Sequence, residues 1–143
     1  MTTLAFSLPR MQRISGGIIA LTLWMGLLAL PVSAQSGGGP AATVGMTNTL
    51  EFDPDTVRVQ VGETVRWTNS SIIVHTVTAD PDEATKDESV RLPEAAAPFD
   101  SGDMDPKATF QHTFEVPGTY RYFCIPHEGT KMYGTVIVEP ADG

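Results

Sequence analysis

Short segments in which apolar and polar residues alternate recur along the chain after residue 40. They are rich in Val, Thr, Ile and aromatic residues, and no apolar pattern with the period of a helix runs for ten residues there. Seven or eight such segments, separated by turn signals, predict an all-β domain with the Greek-key sandwich fold. The predicted strands are Thr43–Met46 with Leu50–Phe52, Thr56–Val61, Thr64–Asn69, Val74–Ala79, Ala108–Phe114, Thr119–Cys124 and Gly134–Val138.

The segment from residue 80 to 107 interrupts this pattern. It contains four prolines and no sustained alternation, so it is predicted to be a long connection, with a helical turn near Glu83–Val90. Between Asp80 and Asp105, nine acidic residues stand against only Lys86 and Arg91. Two interpretations are open for this acidic loop: it guides a basic partner, or it keeps the protein in solution.

Residues 1–34 have the pattern of an export signal. Arg10 and Arg13 come before the mostly apolar stretch 14–30, and Val32-Ser33-Ala34 offers a cleavage site of small residues. The alternative is an uncleaved membrane anchor, because the stretch is close to the ~20 residues that a spanning helix needs. Residues 35–42 then form a flexible linker, residues 43–140 form one domain, and the location is periplasmic or otherwise extracytoplasmic.

Charge and cysteine content limit the possible functions. Without Arg10 and Arg13, seven basic residues face seventeen acidic ones, a net charge of −10, which argues against nucleic acid as a partner. The chain is expected to be a monomer. Its single cysteine, Cys124, cannot form an internal disulfide, so it is a buried apolar residue, a nucleophile or a metal ligand.

The strand periodicity predicts that the side chains of two potential metal ligands point toward the interior. Tyr120, Tyr122 and Cys124 share one face of their strand while Arg121 takes the other, and His75 shares a face with apolar neighbours. The loop after Cys124 carries His127 and Met132. Two imidazoles and a thiolate in a plane, with a weak axial thioether, form the ligand set of a blue-copper electron-transfer site, whereas zinc rarely takes methionine.

These residues resemble the plastocyanin branch of the cupredoxins. Cys124-x-x-His127 with four residues before Met132 matches the loop of that family, and GETVRWTNSSIIVHTVTAD is similar to the segment with its upstream histidine. The resemblance covers nearly the whole chain after the export signal and is weakest over residues 80–107. The family usually has asparagine where this chain has Thr76 and tyrosine where it has Phe123. Thr76 still offers a hydroxyl and an N–H to fix the Cys124 loop.

The resemblance implies an electron carrier with one type 1 copper ion, and the protein is therefore not expected to be an enzyme. Expected partners are redox proteins such as a c-type cytochrome, a terminal oxidase or a photosynthetic complex, and a membrane only if residues 1–34 stay uncleaved. The alternative is a periplasmic carrier that delivers copper to an oxidase. A Cys124–His127 nucleophile pair is disfavoured because it leaves His75 and Met132 without a role.

An apolar docking face is expected around His127, the predicted surface-facing ligand. Phe123 is predicted to point outward beside the acidic loop as a second contact point. The predicted docking face contains Ile125, Pro126, Met132 and Tyr133, with Gly45 or Gly62 from neighbouring turns.

Overall fold

The structure is a computed structural model that describes residues 38–141. The predicted export signal, and residues 35–37 of the predicted linker, lie outside the described residues. Within residues 38–141, no helix is both long and apolar enough to cross a membrane. The strands of this part of the chain are β1 (Ala42–Met46), β2 (Phe52–Asp53), β3 (Thr56–Gln60), β4 (Thr64–Asn69), β5 (Thr78–Ala79), β6 (Phe99–Asp100), β7 (Thr109–Thr113), β8 (Gly118–Phe123) and β9 (Tyr133–Glu139).

The strands form two sheets that pack face to face. One sheet has the order β2-β1-β4-β7 and the other the order β3-β9-β8-β5-β6. Most neighbours are antiparallel, but β1 runs parallel to β4 and β3 runs parallel to β9. This arrangement confirms the predicted all-β sandwich.

The two-residue periodicity of the sequence accounts for the core. Buried and less buried residues alternate along β3, β4 and β9, so each strand turns its valines toward the opposite sheet. Trp67 on β4 lies at the centre and contacts the edge of Tyr122 on β8 at a centroid distance of 5.4 Å. His112 on β7 stacks on Phe99 at 4.2 Å, as expected of a structural histidine.

Three short 3-10 helices complete the described fold. Pro81–Glu83 and Asp87–Ser89 lie in the long connection, and Ile125–Thr130 follows β8. The connection also contains β6, which the sequence did not predict. The predicted strand Val74–Ala79 is shorter than expected, because only Thr78–Ala79 is regular strand and His75 forms an isolated bridge with Met104.

The prediction that Phe123 points outward is wrong. Its side chain is fully buried, and residues of the long connection contact the side chains of β8 and β9 beside it. The Arg121 guanidinium donates to the Glu88 carbonyl at 3.1 Å, and the Arg91 backbone pairs with Arg121 at the edge of β8 through hydrogen bonds of 3.1 and 2.9 Å. Next to them, the Ser89 hydroxyl lies 3.2 Å from the hydroxyl of Tyr133 on β9.

Candidate metal centre

His75 is held by a buried polar network at the end of β4. The Asn69 side chain donates to the carbonyls of Ile73 and Met104, at 2.7 and 2.8 Å. Its Oδ1 accepts the N–H and the hydroxyl of Ser71. His75 then pairs with Met104 through backbone hydrogen bonds of 3.3 and 2.8 Å. The loop that carries His75 is therefore fixed on both sides.

Cys124, His127 and Met132 are brought together by backbone hydrogen bonds in the β8–β9 loop. The His127 N–H donates to the Cys124 carbonyl at 3.0 Å, and the Cys124 N–H donates to the Met132 carbonyl at 3.1 Å. Lys131, with φ of 61°, ends the 3-10 helix in the left-handed conformation and turns the chain toward Met132. The β8–β9 loop thus holds these three potential ligands close together.

The donor atoms of the two histidines converge on the Cys124 sulfur. Sγ lies 3.6 Å from Nδ1 of His75 and 3.2 Å from Nδ1 of His127. One donor atom from each of the three residues lies within 4.8 Å of the other two. Metal bonds of about 2.0 to 2.3 Å in a trigonal plane give donor separations of about 3.6 Å, so one ion fits among these atoms.

The centre is closed to water on all sides but one. His75 and Cys124 are fully buried and Met132 is 1% exposed, whereas His127 is partly exposed. Burial lowers the pKa of His75, and the neighbouring His127 lowers it further, against a smaller opposite effect of the Thr47 carbonyl. His75 is therefore held in the neutral form that binds metals.

The Cys124 sulfur accepts a hydrogen bond from the Thr76 N–H at 3.3 Å. Burial raises the pKa of the thiol, while Thr76 and His127 lower it. A buried thiol without a cation prefers its proton, so a bound metal ion is the partner that makes the thiolate favourable. The donor set, with two imidazoles, one thiol and a buried thioether, fits copper.

Glu128 ties the long connection to the ligand loop, a role that the sequence analysis did not assign. The residue is 6% exposed, and its carboxylate accepts hydrogen bonds from Thr85, from the Lys86 N–H and from the Ser89 hydroxyl. Burial raises the pKa of Glu128, but these donors lower it below its usual value. Its position next to His127 was visible in the sequence, but its donors lie about forty residues earlier.

The surface around His127 differs in part from the predicted docking face. Pro126 is exposed and Ile125 and Tyr133 are partly exposed, but Met132 is buried. Gly62 lies at the opposite end of the sandwich, in the turn before β4, where its N–H donates to the Phe114 carbonyl. The missed contributors are Ile72, Ile73 and Val74, which are 82%, 37% and 36% exposed. Their signal was a run of three aliphatic residues after two serines, where strand alternation stops.

Comparison with known proteins agrees with this geometry. The family described as copper binding proteins, plastocyanin/azurin family, matches residues 41–139. The chain belongs to this family. Plastocyanin from Scenedesmus fuscus is 36% identical over 90 residues, which are 63% of this chain and 88% of that protein. Halocyanin from Natronomonas pharaonis is 37% identical over 93 residues, 64% of this chain and 50% of that protein.

Solved cupredoxin structures resemble the fold. An oxidised variant of amicyanin is 27% identical with a TM-score of 0.55, and the match covers 73% of this chain and 87% of amicyanin. A purple cupredoxin from Nitrosopumilus maritimus matches with a TM-score of 0.53 over 68% of this chain and 99% of its own, at 24% identity. The predictions of a plastocyanin-like cupredoxin and of a copper cofactor are confirmed, while the aligned part spans only half the length of halocyanin.

Proposed function

We propose that this cupredoxin carries single electrons between redox proteins and that His75, Cys124, His127 and Met132 hold its copper ion. The observation that supports this most strongly is the convergence of three donor atoms within 4.8 Å, two of them on fully buried side chains. When bound, copper supplies the chemistry by alternating between Cu(I) and Cu(II). No substrate bond is made or broken, so the role is that of a carrier rather than an enzyme.

The residues around the centre keep its geometry constant. Asn69 and Met104 fix the His75 loop, and the Thr76 N–H fixes the Cys124 sulfur. Because these contacts belong to a packed sandwich, we expect little rearrangement when the charge of the centre changes. Rigid burial also supports retention of the ion, and it argues against the alternative role as a carrier that hands copper to an oxidase.

His127 is the proposed exit point for the electron, since it is the one ligand that reaches the surface. Exposed apolar side chains lie in the two loops that carry His75 and His127, at Ile72 and Pro126. A small apolar contact of this kind suits weak, transient association with a redox partner such as a c-type cytochrome, an oxidase or a photosynthetic complex. We place this exchange in the periplasm or another extracytoplasmic compartment.

Copper addition to the purified protein tests the proposal. The copper(II) form should be intensely blue through charge transfer from the thiolate, and Cys124→Ser should abolish the colour. His112→Gln is the matched control, because His112 is the one histidine of the three that packs away from the centre. A blue Cys124→Ser protein would overturn the ligand assignment. Copper exchange within seconds would instead favour the delivery role.

A further inference from the structure

His127 lies in the middle of the β8–β9 loop, residues 124–132, and not on a regular strand. It is partly exposed, and its φ of −117° and ψ of 17° interrupt the 3-10 helix of the loop. Its N–H donates to the Cys124 carbonyl, and its own carbonyl accepts the Thr130 hydroxyl at 2.8 Å and the Met132 N–H at 3.4 Å. These bonds shape the loop from within, but they do not attach its middle to the rest of the domain.

The Glu128 side chain makes that attachment. Its Oε1 accepts the Ser89 hydroxyl at 2.5 Å and the N–H groups of Thr85 and Lys86, each at 3.1 Å. Its Oε2 accepts the Thr85 hydroxyl and, at 3.2 Å, the Thr85 N–H. Within the part of the chain that the structure describes, no other member of residues 126–131 has a hydrogen bond to a segment outside the loop. Glu128 is thus the one link between the middle of the loop and residues 85–89.

Residues 85–89 are themselves fixed to the two strands that flank the loop. The Arg121 guanidinium on β8 donates to the Glu88 carbonyl at 3.1 Å. The Ser89 hydroxyl lies 3.2 Å from the Tyr133 hydroxyl on β9. Ser89 and Glu128 are both buried, so water competes little for their contact. The carboxylate of Glu128 is therefore bound to a support that belongs to the sheet.

We propose that Glu128 is a positioning residue of the metal centre, which holds the turn that carries His127 so that the imidazole stays directed toward the Cys124 sulfur and the copper ion is retained. Glu128 follows His127 directly, so a displacement of its backbone moves His127 with it. Loss of an ion from a closed site begins at the ligand that reaches the surface, and His127 is that ligand. The inference rests on the proposed function, because it concerns the same ligands.

Release of Cu(I) from the loaded full chain to an excess of a Cu(I) chelator provides the first test. Glu128→Ala should release copper about tenfold faster, which is about 1.4 kcal/mol of activation free energy. Glu88→Ala is the matched control: it removes the same side chain and charge, but Glu88 is exposed and enters the contacts above through its backbone carbonyl. Its release rate should stay close to that of the original protein. Equal rates in the two variants would overturn the proposal.

The colour of the Cu(II) protein shows whether the ligand itself has moved. The blue band depends on the arrangement of the ligands around the ion, so its wavelength or intensity should change in Glu128→Ala. It should stay unchanged in Glu88→Ala. An unchanged band in Glu128→Ala contradicts the positioning role.

A double-mutant cycle tests the route through Ser89. Ser89→Ala leaves every charge in place and removes one donor to Glu128, so it should also speed release, but less than Glu128→Ala does. In the Glu128→Ala background it should add nothing further, and fully additive effects would refute the route. If Glu128→Ala does not fold, Ser89→Ala and Thr85→Val carry the test, and original release rates in both would overturn the proposal.

Hydrogen exchange of the Cu(I) protein separates a local effect from a general loss of stability. In Glu128→Ala, the amides of His127 and Met132 should exchange faster, whereas those of β4, which lies between β1 and β7, should stay protected. Equal acceleration everywhere would mean that Glu128 stabilises the whole domain and does not position the ligand. If the original protein takes up copper without becoming blue, the proposed function fails instead, so the two failures are distinguishable.

Discussion

Met132 is the last residue before β9; its side chain is buried, and its carbonyl accepts a hydrogen bond from the Cys124 N–H. A thioether donates weakly to Cu(II), so an axial methionine leaves Cu(I) relatively favoured. Met132→Gln should lower the reduction potential, because an amide oxygen stabilises Cu(II), and Met132→Leu should raise it. Both proteins should remain coloured. Redox titration checks the order Leu above Met above Gln, and unchanged potentials would show that Met132 is not an axial ligand.

The proposed ligands could be predicted at the scale of single residues because most of the signal is local. Cys124, His127 and Met132 lie within nine residues, so their spacing is visible in the sequence. The hydrogen bond of Thr78 with Asp100 was not visible, because Asp100 is 22 residues further along the chain, inside an acidic loop with eight other acidic residues. The prediction that Phe123 is exposed was wrong for a related reason. Alternation shows on which face of the strand a side chain lies, but it does not show which other part of the chain covers that face.

At the scale of elements, β8 and β9 meet in a contact that only glycine permits. A Cβ atom added to Gly134 would lie 2.2 Å from the Tyr122 ring, and that ring packs against Phe52 at 4.7 Å and Trp67 at 5.4 Å. The ring is therefore confined by neighbours on other sides as well. Gly134 is two residues from Met132, so the contact lies close to the β8–β9 loop.

Gly134→Ala should lower the free energy of unfolding by about 1–3 kcal/mol, the usual cost of overpacking a well-packed core. Denaturant unfolding measures the change. Gly129→Ala is the matched control in the same loop region, because no atom lies within 4 Å of its added Cβ. Equal stability of the two variants would mean that the Tyr122 ring can give way.

The strands that alternate regularly were predicted to within two residues, as in β4 and β9. The segment from His75 to Ala79 was not, because every residue in it is buried and alternation carries no information there. β6 is a two-residue strand that exists through its pairing with β5 and has no periodicity of its own. Strands such as β5 and β6, which form only through tertiary pairing, could therefore not be predicted from the sequence pattern.

At the scale of the whole molecule, most of the core consists of residues that are not proposed ligands. The buried cluster between the sheets includes Trp67, Phe114 and Tyr120, although Cys124 and Met132 also belong to it. The copper-free protein should keep β-type circular dichroism, and copper at 100 times its dissociation constant should add about 2.7 kcal/mol of stability. Thermal unfolding with and without copper measures this. An unfolded copper-free chain would show instead that metal binding supplies the folding energy.

The acidic loop also concerns the whole molecule, because its charges face the solvent. Of its nine acidic residues, eight are exposed and Asp80 is partly exposed. If the loop guides a basic c-type cytochrome, the association rate should fall steeply with salt, since charges are screened beyond ~10 Å at 0.1 M. Neutralising Asp82, Glu83 and Asp87 together should flatten this dependence in stopped-flow measurements, whereas Glu115→Gln should not. Rates independent of salt would favour the solubility interpretation.

The four proposed ligands are unevenly distributed along the chain, and this gives the centre an order of assembly. Three of them lie in one nine-residue loop, while His75 is 49 residues before Cys124 and comes next to it where β5 pairs with β8. Closing a short loop is fast and joining distant segments is slow. We therefore expect an unfolded chain to hold copper loosely through the loop alone, and the blue colour to appear only when β5 has paired with β8.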